Sequence, residues 1–267
     1  MRKALLIIFS IGLVITVGFG IAGYVEGKKQ LKNHGTPIHY TKDYKQEDAK
    51  IKNLKINSDT SNVVIKKGDH FSVEGSGGVK GKTEVKSALE NDTLVVESKL
   101  PNPTINFTFG NIKQATITIT VPERQLSDVT IYNDTGDMTI EGLKANQLES
   151  QQDTGDLLLK TSDIHTLNLK SDTGDIKVTD TQFKNMKSEN DTGDTEIKGI
   201  KGDVNLQAKS DTGDIKVEYA QAPKHTKLIH DGDADIEIHQ PNLKEKRYGN
   251  ATHTLELESD TGTVEVN

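Results

Sequence analysis

The segment Leu167–Val178 reads LNLKSDTGDIKV and contains the pattern that decides the fold. Its tetrapeptide Asp-Thr-Gly-Asp occurs five times in the chain, at residues 134–137, 153–156, 172–175, 191–194 and 211–214. The steps between copies are 19, 19, 19 and 20 residues, and two further copies follow, one damaged (Asp233–Asp235) and one complete to its glycine (Asp260–Thr263). Self-similarity at a fixed period of about 20 residues is typical of a solenoid, in which each repeat forms one coil.

Apolar residues alternate with polar ones on both sides of the tetrapeptide, as half-buried strands require. Leu167 and Leu169 share one side before the corner, and Ile176 and Val178 share one side after it. A further apolar position recurs in the connection between repeats, at Leu143, Ile164, Phe183 and Ile200. The predicted fold class is therefore all-β: a single-stranded parallel β-solenoid of ~20-residue coils, with two or three walls and pairing between successive coils.

The tetrapeptide has a structural interpretation as the corner of each coil. Its first aspartate can form an Asx turn by accepting hydrogen bonds from backbone N–H groups just ahead. Its glycine supplies a positive φ, which other residues adopt only at a cost. The second aspartate restarts the strand with its side chain outward, so five equivalent corners need no functional explanation.

Stacking gives the same corners a second interpretation. The first aspartates would form one carboxylate column and the second aspartates another: Asp134, Asp153, Asp172, Asp191 and Asp211 in the first, and Asp137, Asp156, Asp175, Asp194 and Asp214 in the second. At a coil spacing near 5 Å, two carboxylates repel by about 0.8 kcal/mol in water. Oxygen ligands suit Ca²⁺, which would turn this repulsion into attraction. A Ca²⁺-dependent ligand-binding module is therefore the alternative function.

The N-terminal segment predicts a membrane location. Ala4–Val25 has no formal charge, follows Arg2 and Lys3, and spans ~33 Å as a helix, enough to cross a hydrocarbon core of ~30 Å. We interpret residues 1–25 as one N-terminal transmembrane helix; a signal segment cut after Ala22 is the competing interpretation. Both place the rest of the chain outside the cytoplasm.

The remaining chain divides into two parts. Residues 26–50 are polar and lack a clear apolar period, which predicts a stalk. Residues 51–267 form the predicted extracytoplasmic solenoid domain, since alternating strands also run through 51–128. We therefore expect a single-pass protein of the cell membrane, held there by its N-terminal helix.

Composition excludes several function classes. The formal net charge is −7 with lysines interleaved among acids, so no basic face for nucleic acid is expected. The chain has no cysteine, which removes disulfides, thiolate metal sites and cysteine nucleophiles. A lone Asp-Thr-Gly would suggest an aspartic protease, but five regular copies do not fit a two-carboxylate site.

No catalytic, cofactor-binding or metal-binding residue is predicted, and no cofactor. His230, His239 and His253 lie late in the chain and could meet in a metal site, although exposed strand positions are the commoner explanation. An enzyme acting on wall polymers is a third hypothesis, and it requires paired carboxylates in a cleft. The expectation is a protein that is not an enzyme.

One stretch outside the repeats carries a family resemblance. Val121–Arg124, followed by the strand Leu126–Ile131 and then by serial corners, resembles the bacterial DUF4097 family, whose members are labelled adhesin candidates. The resemblance covers residues 51–267. It implies a β-solenoid without established catalytic residues or ligand. The N-terminal anchor followed by one repeat domain is similar to membrane-anchored members associated with envelope stress in low-GC Gram-positive bacteria, which implies a structural or adhesive role with envelope or membrane-protein partners.

Overall fold

The computed structural model describes residues 37–78, 83–100, 114–244 and 250–267. In this part of the chain two large sheets enclose one hydrophobic cluster, and each corner carries the chain from one sheet to the other. The predicted transmembrane segment 4–25 lies outside the described residues. Among those that are described, no helix combines the length and apolar character needed to cross a membrane.

The strands are numbered in chain order. The first seven precede the complete tetrapeptides: β1 Ile38–Asp43, β2 Asn53–Ser58, β3 Ser61–Gly68, β4 Ser72–Gly77, β5 Glu84–Glu90, β6 Thr93–Lys99 and β7 Ala115–Pro122. The repeats supply β8 Leu126–Thr135, β9 Met138–Glu141, β10 Lys144–Thr154, β11 Leu157–Lys160, β12 Asp163–Thr173, β13 Ile176–Thr179, β14 Asn185–Thr192, β15 Thr195–Lys201, β16 Asn205–Thr212 and β17 Ile215–Gln221. The chain ends with β18 Thr226–Asp231, β19 Asp235–Ile238, the one-turn helix α1 Pro241–Lys244, β20 His253–Thr261 and β21 Thr263–Val266.

The repeats stack as the sequence predicts, with two walls. Each repeat places one strand before its corner in the ten-stranded sheet and one strand after it in the eleven-stranded sheet. Successive repeats pair in parallel and in register, so that Ile176 lies between Leu157 and Thr195. The apolar positions of both strands and of the connecting arc are buried, including Leu167, Val178 and Ile164. The all-β, largely parallel, solenoid-like architecture is confirmed.

The order of the coils departs from the prediction at the C-terminal end. Strands β20 and β21 insert between the β16–β17 coil and the β18–β19 coil, although they come last in the chain. The prediction that coils adjacent in the sequence pair with each other is therefore wrong at this end. The side chains give the reason: the inward residues of the inserted coil, such as Leu257 and Val264, are fully buried aliphatics. The outer coil has a damaged corner, and its inward positions include His230. The better-packing coil occupies the interior position.

The N-terminal end shows a similar insertion. The β2–β3 coil stacks directly on β8 and β9, whereas β6 and β7 lie on its far side. Pairing at this end is also partly antiparallel, between β1 and β4, β4 and β7, and β5 and β6. The prediction of a purely parallel, single-stranded solenoid over residues 51–267 is therefore wrong at this end, for β4, β5, β6 and β7. These antiparallel strands close the end of the hydrophobic cluster.

Part of the predicted stalk belongs to this end. Strand β1 pairs with β4, and Tyr44 is only 2% exposed. The Tyr44 hydroxyl donates a hydrogen bond to Ser87 Oγ at 2.7 Å. Residues 38–50 thus pack on the domain, whereas residues 26–36 lie outside the described residues.

Arg124 ties this end to the repeats. Its guanidinium donates hydrogen bonds to the backbone carbonyl oxygens of Asp48 and Ile51, and it lies 5.3 Å from the centroid of the buried Phe71 ring. The Phe71 N–H in turn donates to an Asp48 carboxylate oxygen at 3.0 Å. The arginine of the family-like stretch Val121–Arg124 therefore has a structural role.

We expect Arg124→Ala to lower the free energy of unfolding by about 3 kcal/mol, because carbonyl groups lose a charged donor and Phe71 loses its cover. Arg124→Lys keeps the charge but not the planar fork that reaches both carbonyls, so it should recover less than half of the loss. Denaturant unfolding followed by circular dichroism measures both. A loss below about 0.5 kcal/mol for Arg124→Ala would contradict this role.

Candidate functional site

The corners form one continuous edge of the molecule, and its glycines are in direct contact from coil to coil. Gly174 has φ 129°, as the sequence predicts. A Cβ atom added to it would lie 2.0 Å from the carbonyl oxygen of Gly155 in the preceding coil. The same short approach to the preceding corner occurs at Gly155, Gly193, Gly213 and Gly262. The glycine is therefore required by the stacking distance as well as by φ.

The second aspartates of the corners form a hydrogen-bonded ladder. Asp156 Oδ1 accepts the backbone N–H of Asp175 at 3.0 Å, and Asp175 Oδ1 accepts that of Asp194 at 2.9 Å. The ladder continues at the next coils in the same way, ending at the N–H of Thr263. At its beginning the side-chain oxygen of Asn62 takes the same place and accepts the N–H of Asp137 at 2.9 Å. These carboxylates secure the turn into the next strand.

Asp175→Ala is expected to destabilise the fold by about 1 kcal/mol, since the N–H of Asp194 loses its acceptor. Asp175→Asn should cost little, because an amide oxygen already serves at Asn62. The matched variant at a first aspartate, Asp191→Ala, should change the unfolding free energy by less than about 0.5 kcal/mol. Chemical denaturation of the three variants checks the order, and equal losses at Asp175 and Asp191 would refute the assignment.

The first aspartates do not form the predicted Asx turns. They stand at the ends of strands, with Asp153 and Asp191 exposed and Asp172 half-buried. Hydrogen bonds to the corner come instead from the buried residue just before them. Gln152 Nε2 donates to the Gly136 carbonyl at 2.8 Å, and Asn190 Nδ2 donates to that of Gly174 at 3.0 Å. Sequence reasoning missed these inward polar residues, which the alternation of each strand places on the buried side.

At the first coil of the repeats, the first aspartate lies close to other carboxylates. Burial raises the pKa of the Asp134 carboxyl, and the neighbouring charges of Asp153 and Asp59 raise it further. Within the described residues no three His, Asp or Glu side chains lie where they could hold a metal ion together. The Ca²⁺ hypothesis therefore gains no site at the corners.

The three C-terminal histidines are also not brought together as a site. His253 Nδ1 is hydrogen-bonded to Thr252 Oγ1 at 2.9 Å, and His239 Nε2 lies 3.5 Å from Glu237. His230 lies on another strand, in register with Leu257. The partners of His239 and His253 are local, which fits ordinary positions at strand ends.

Each sheet carries a shallow trough on its outer face. The trough beside the corners, about 420 Å³, is strongly charged. Its charged lining residues are Asp175, Lys177, Asp194, Glu196, Asp214, Lys216 and Glu265. Both lysines are paired with glutamates of the next coil, Lys177 with Glu196 and Lys216 with Glu265.

The trough on the other sheet, about 320 Å³, crosses β12, β14, β16 and β20. Its outward side chains are mostly amides and hydroxyls: Asn168, Asn185, Asn205, Gln207 and Thr254, with the charged pair Lys187 and Glu256. The two troughs therefore differ in chemistry. One is dominated by carboxylates, and the other is neutral overall.

A comparison with protein-family models identifies one family. The sequence profile of the Toastrack DUF4097 family matches residues 51–265. No curated protein sequence matches the chain significantly. Among solved structures, a candidate cell adhesion protein from Clostridium sporogenes is 14% identical with a TM-score of 0.44, covering 86% of this chain and 99% of its own. A candidate adhesin from Bacteroides fragilis is 18% identical with a TM-score of 0.48 (86% and 97% covered), and one from Parabacteroides distasonis is 9% identical with a TM-score of 0.39 (88% and 98% covered).

Proposed function

Because the chain belongs to the Toastrack DUF4097 family, we propose that it is a non-catalytic, adhesin-like or structural protein of the bacterial cell envelope. Residues 4–25 anchor it in the cell membrane as a single span, and the solenoid lies outside the cytoplasm. Its partners are envelope polymers or membrane proteins, and nucleic acid is not among them.

The observation that carries this proposal is the equivalence of the coils. Catalysis by paired carboxylates needs two acids whose surroundings differ, so that one is protonated while the other is charged. Here the second aspartates repeat one environment from coil to coil, and each uses an oxygen to hold a backbone N–H. The outer faces are long, regular and open, which suits contact with an extended partner.

A finer proposal follows from the N-terminal organisation. An apolar anchor ahead of one extracytoplasmic repeat domain is similar to LiaG, a membrane-anchored protein of the lia envelope-stress operon in low-GC Gram-positive bacteria. We extend the proposal to an envelope-stress-associated role, in which the chain is produced with stress-response partners in the same membrane. Capture of membrane proteins with the full-length anchored chain, before and after envelope stress, tests this extension.

Topology tests the main proposal most directly, because the chain has no cysteine and single cysteines are therefore clean reporters. Thr212→Cys at an exposed corner should react with a membrane-impermeant maleimide on intact cells. Arg2→Cys, the control ahead of the anchor, should react only after lysis. Thr212→Cys that reacts only after lysis would overturn the extracytoplasmic placement.

Binding is tested in the same cells. The full-length chain should sediment with isolated cell walls after the membrane is dissolved, and it should leave wall polymers chemically unchanged. Release of soluble sugar or peptide fragments by the purified chain would contradict a non-catalytic role.

A further inference from the structure

The neutral trough across β12, β14, β16 and β20 has polar groups that the fold uses only in part. Asn205 Nδ2 donates to Asn185 Oδ1 at 2.9 Å, and Asn205 Oδ1 accepts the N–H of Thr254 at 3.1 Å. Asn168 and Gln207, in contrast, are half-exposed and have no hydrogen-bonding partner for their amides among the described residues. Each offers both donors and an acceptor to a molecule lying in the trough.

The same face carries an exposed aromatic ring. Tyr132 is 37% exposed, and in the described part of the chain it is the one large hydrophobic side chain that is exposed. It lies on the outer side of β8, next to Gln151 of β10 in register. From β8 to β20 the face crosses five strand spacings, or ~24 Å. An aromatic platform and free amides thus lie along one open surface.

Charge decides which kind of molecule this surface fits. Lys187 and Glu256 cancel in the trough, and Lys187 is also paired with Glu189 on its own strand. The other outward lysines between β12 and β20 are paired as well, Lys170 with Asp172 and Lys209 with Glu258. The whole chain has a net charge of −7, so it repels polyanions at long range. A cationic partner would find the carboxylate-rich trough on the opposite sheet more favourable. The free amides and the exposed aromatic ring are complementary to an uncharged polymer that is rich in hydroxyl groups.

We propose that the outer face formed by Tyr132, Asn168 and Gln207 binds a neutral polysaccharide, laid across the strands along the axis of the stack. Tyr132 stacks against the apolar face of one sugar ring, and the two amides exchange hydrogen bonds with hydroxyl or acetamido groups of rings further along the same polysaccharide. This inference rests on the proposed function and names the ligand class and the contact surface for it.

Calorimetric titration of the full-length chain, in a detergent without a sugar headgroup, tests the proposal. The probes are chitohexaose and cellohexaose, which separate acetamido from plain sugars, with hexagalacturonate as an anionic oligomer of equal length. We expect a neutral hexasaccharide to bind. Tyr132→Ala should weaken that binding about tenfold, and Asn168→Ala and Gln207→Ala about fivefold each.

Thr139→Ala on the outer side of β9, in the other sheet, is the matched control and should bind like the parent chain. Thermal melts show that each variant remains folded. The proposal is overturned if neither neutral oligomer binds, if the three variants bind as tightly as the control, or if hexagalacturonate binds best. Any of these results leaves the surface labelling at Thr212 untouched, so failure of the ligand assignment is distinct from failure of the proposed envelope function.

Discussion

Gly174→Ala is expected to lower the free energy of unfolding by about 3 to 5 kcal/mol. Two costs add at this position. The residue has φ 129°, which an alanine adopts only with strain. The new Cβ would also lie 2.0 Å from the Gly155 carbonyl oxygen and 2.6 Å from its carbon, both backbone atoms held in the stack. The coils would have to separate locally, which also weakens neighbouring hydrogen bonds.

Gly202 offers a matched control that separates the two costs. It has φ 77°, and an added Cβ would meet no atom within 4 Å. Gly202→Ala should therefore show only the conformational cost, about 1 kcal/mol. Denaturant unfolding of both variants gives the comparison. If Gly174→Ala and Gly202→Ala lose the same stability, contact between stacked corners does not restrict this residue.

The corner shows what the sequence predicts well. Periodicity revealed the coil, alternation revealed the inward residues, and a recurring glycine predicted the positive φ found at Gly174. The close contact between glycines of neighbouring coils could not be predicted from the sequence, because it depends on how closely two corners approach and not on either corner alone. For a similar reason, the prediction gave the hydrogen-bonding role to the first aspartate, whereas the structure gives it to the second. Local rules favoured an Asx turn at the first aspartate, while the hydrogen bonds of the second run between coils.

The ends of the stack were predicted less well, since their strand order depends on competition between coils. A repeat pattern indicates which segments form coils, but it does not say which coil lies beside which. The fully buried Val264 and the half-buried Ile236 occupy matching positions in the pattern, and only their packing distinguishes an interior coil from an outer one. The candidate contact face was likewise not predicted from the sequence. Asn168 and Tyr132 are 36 residues apart in the chain, and sheet formation brings them to one surface.

Deletion of residues 253–267 should unfold most of the C-terminal half of the stack, although it removes only a terminal segment. The lost strands carry four fully buried aliphatic side chains, Leu255, Leu257, Val264 and Val266. Burial of four such side chains contributes about 6 to 12 kcal/mol, comparable to the whole stability of a typical domain. The outer strands β18 and β19 would also lose their pairing partners, since β18 pairs with β20 and β19 with β21. Hydrogen exchange should show protection lost from β16 to β19.

The larger internal deletion of residues 222–249 should be tolerated, and this contrast is the decisive test of the inserted coil. Gln221 pairs with Lys201 and Leu255 with Leu206, so the preceding Thr254, whose N–H donates to Asn205 Oδ1, lies beside Asn205. After the deletion, residues 250–253 would connect 221 to 254, one residue more than the arc 202–204 that already spans the equivalent gap from 201 to 205. The terminal coil would then follow β17 directly, as a simple repeat does, and only the half-buried outer coil would be lost. A chain that tolerates removal of 253–267 but unfolds without 222–249 would show that coils stack in sequence order, and it would refute the insertion.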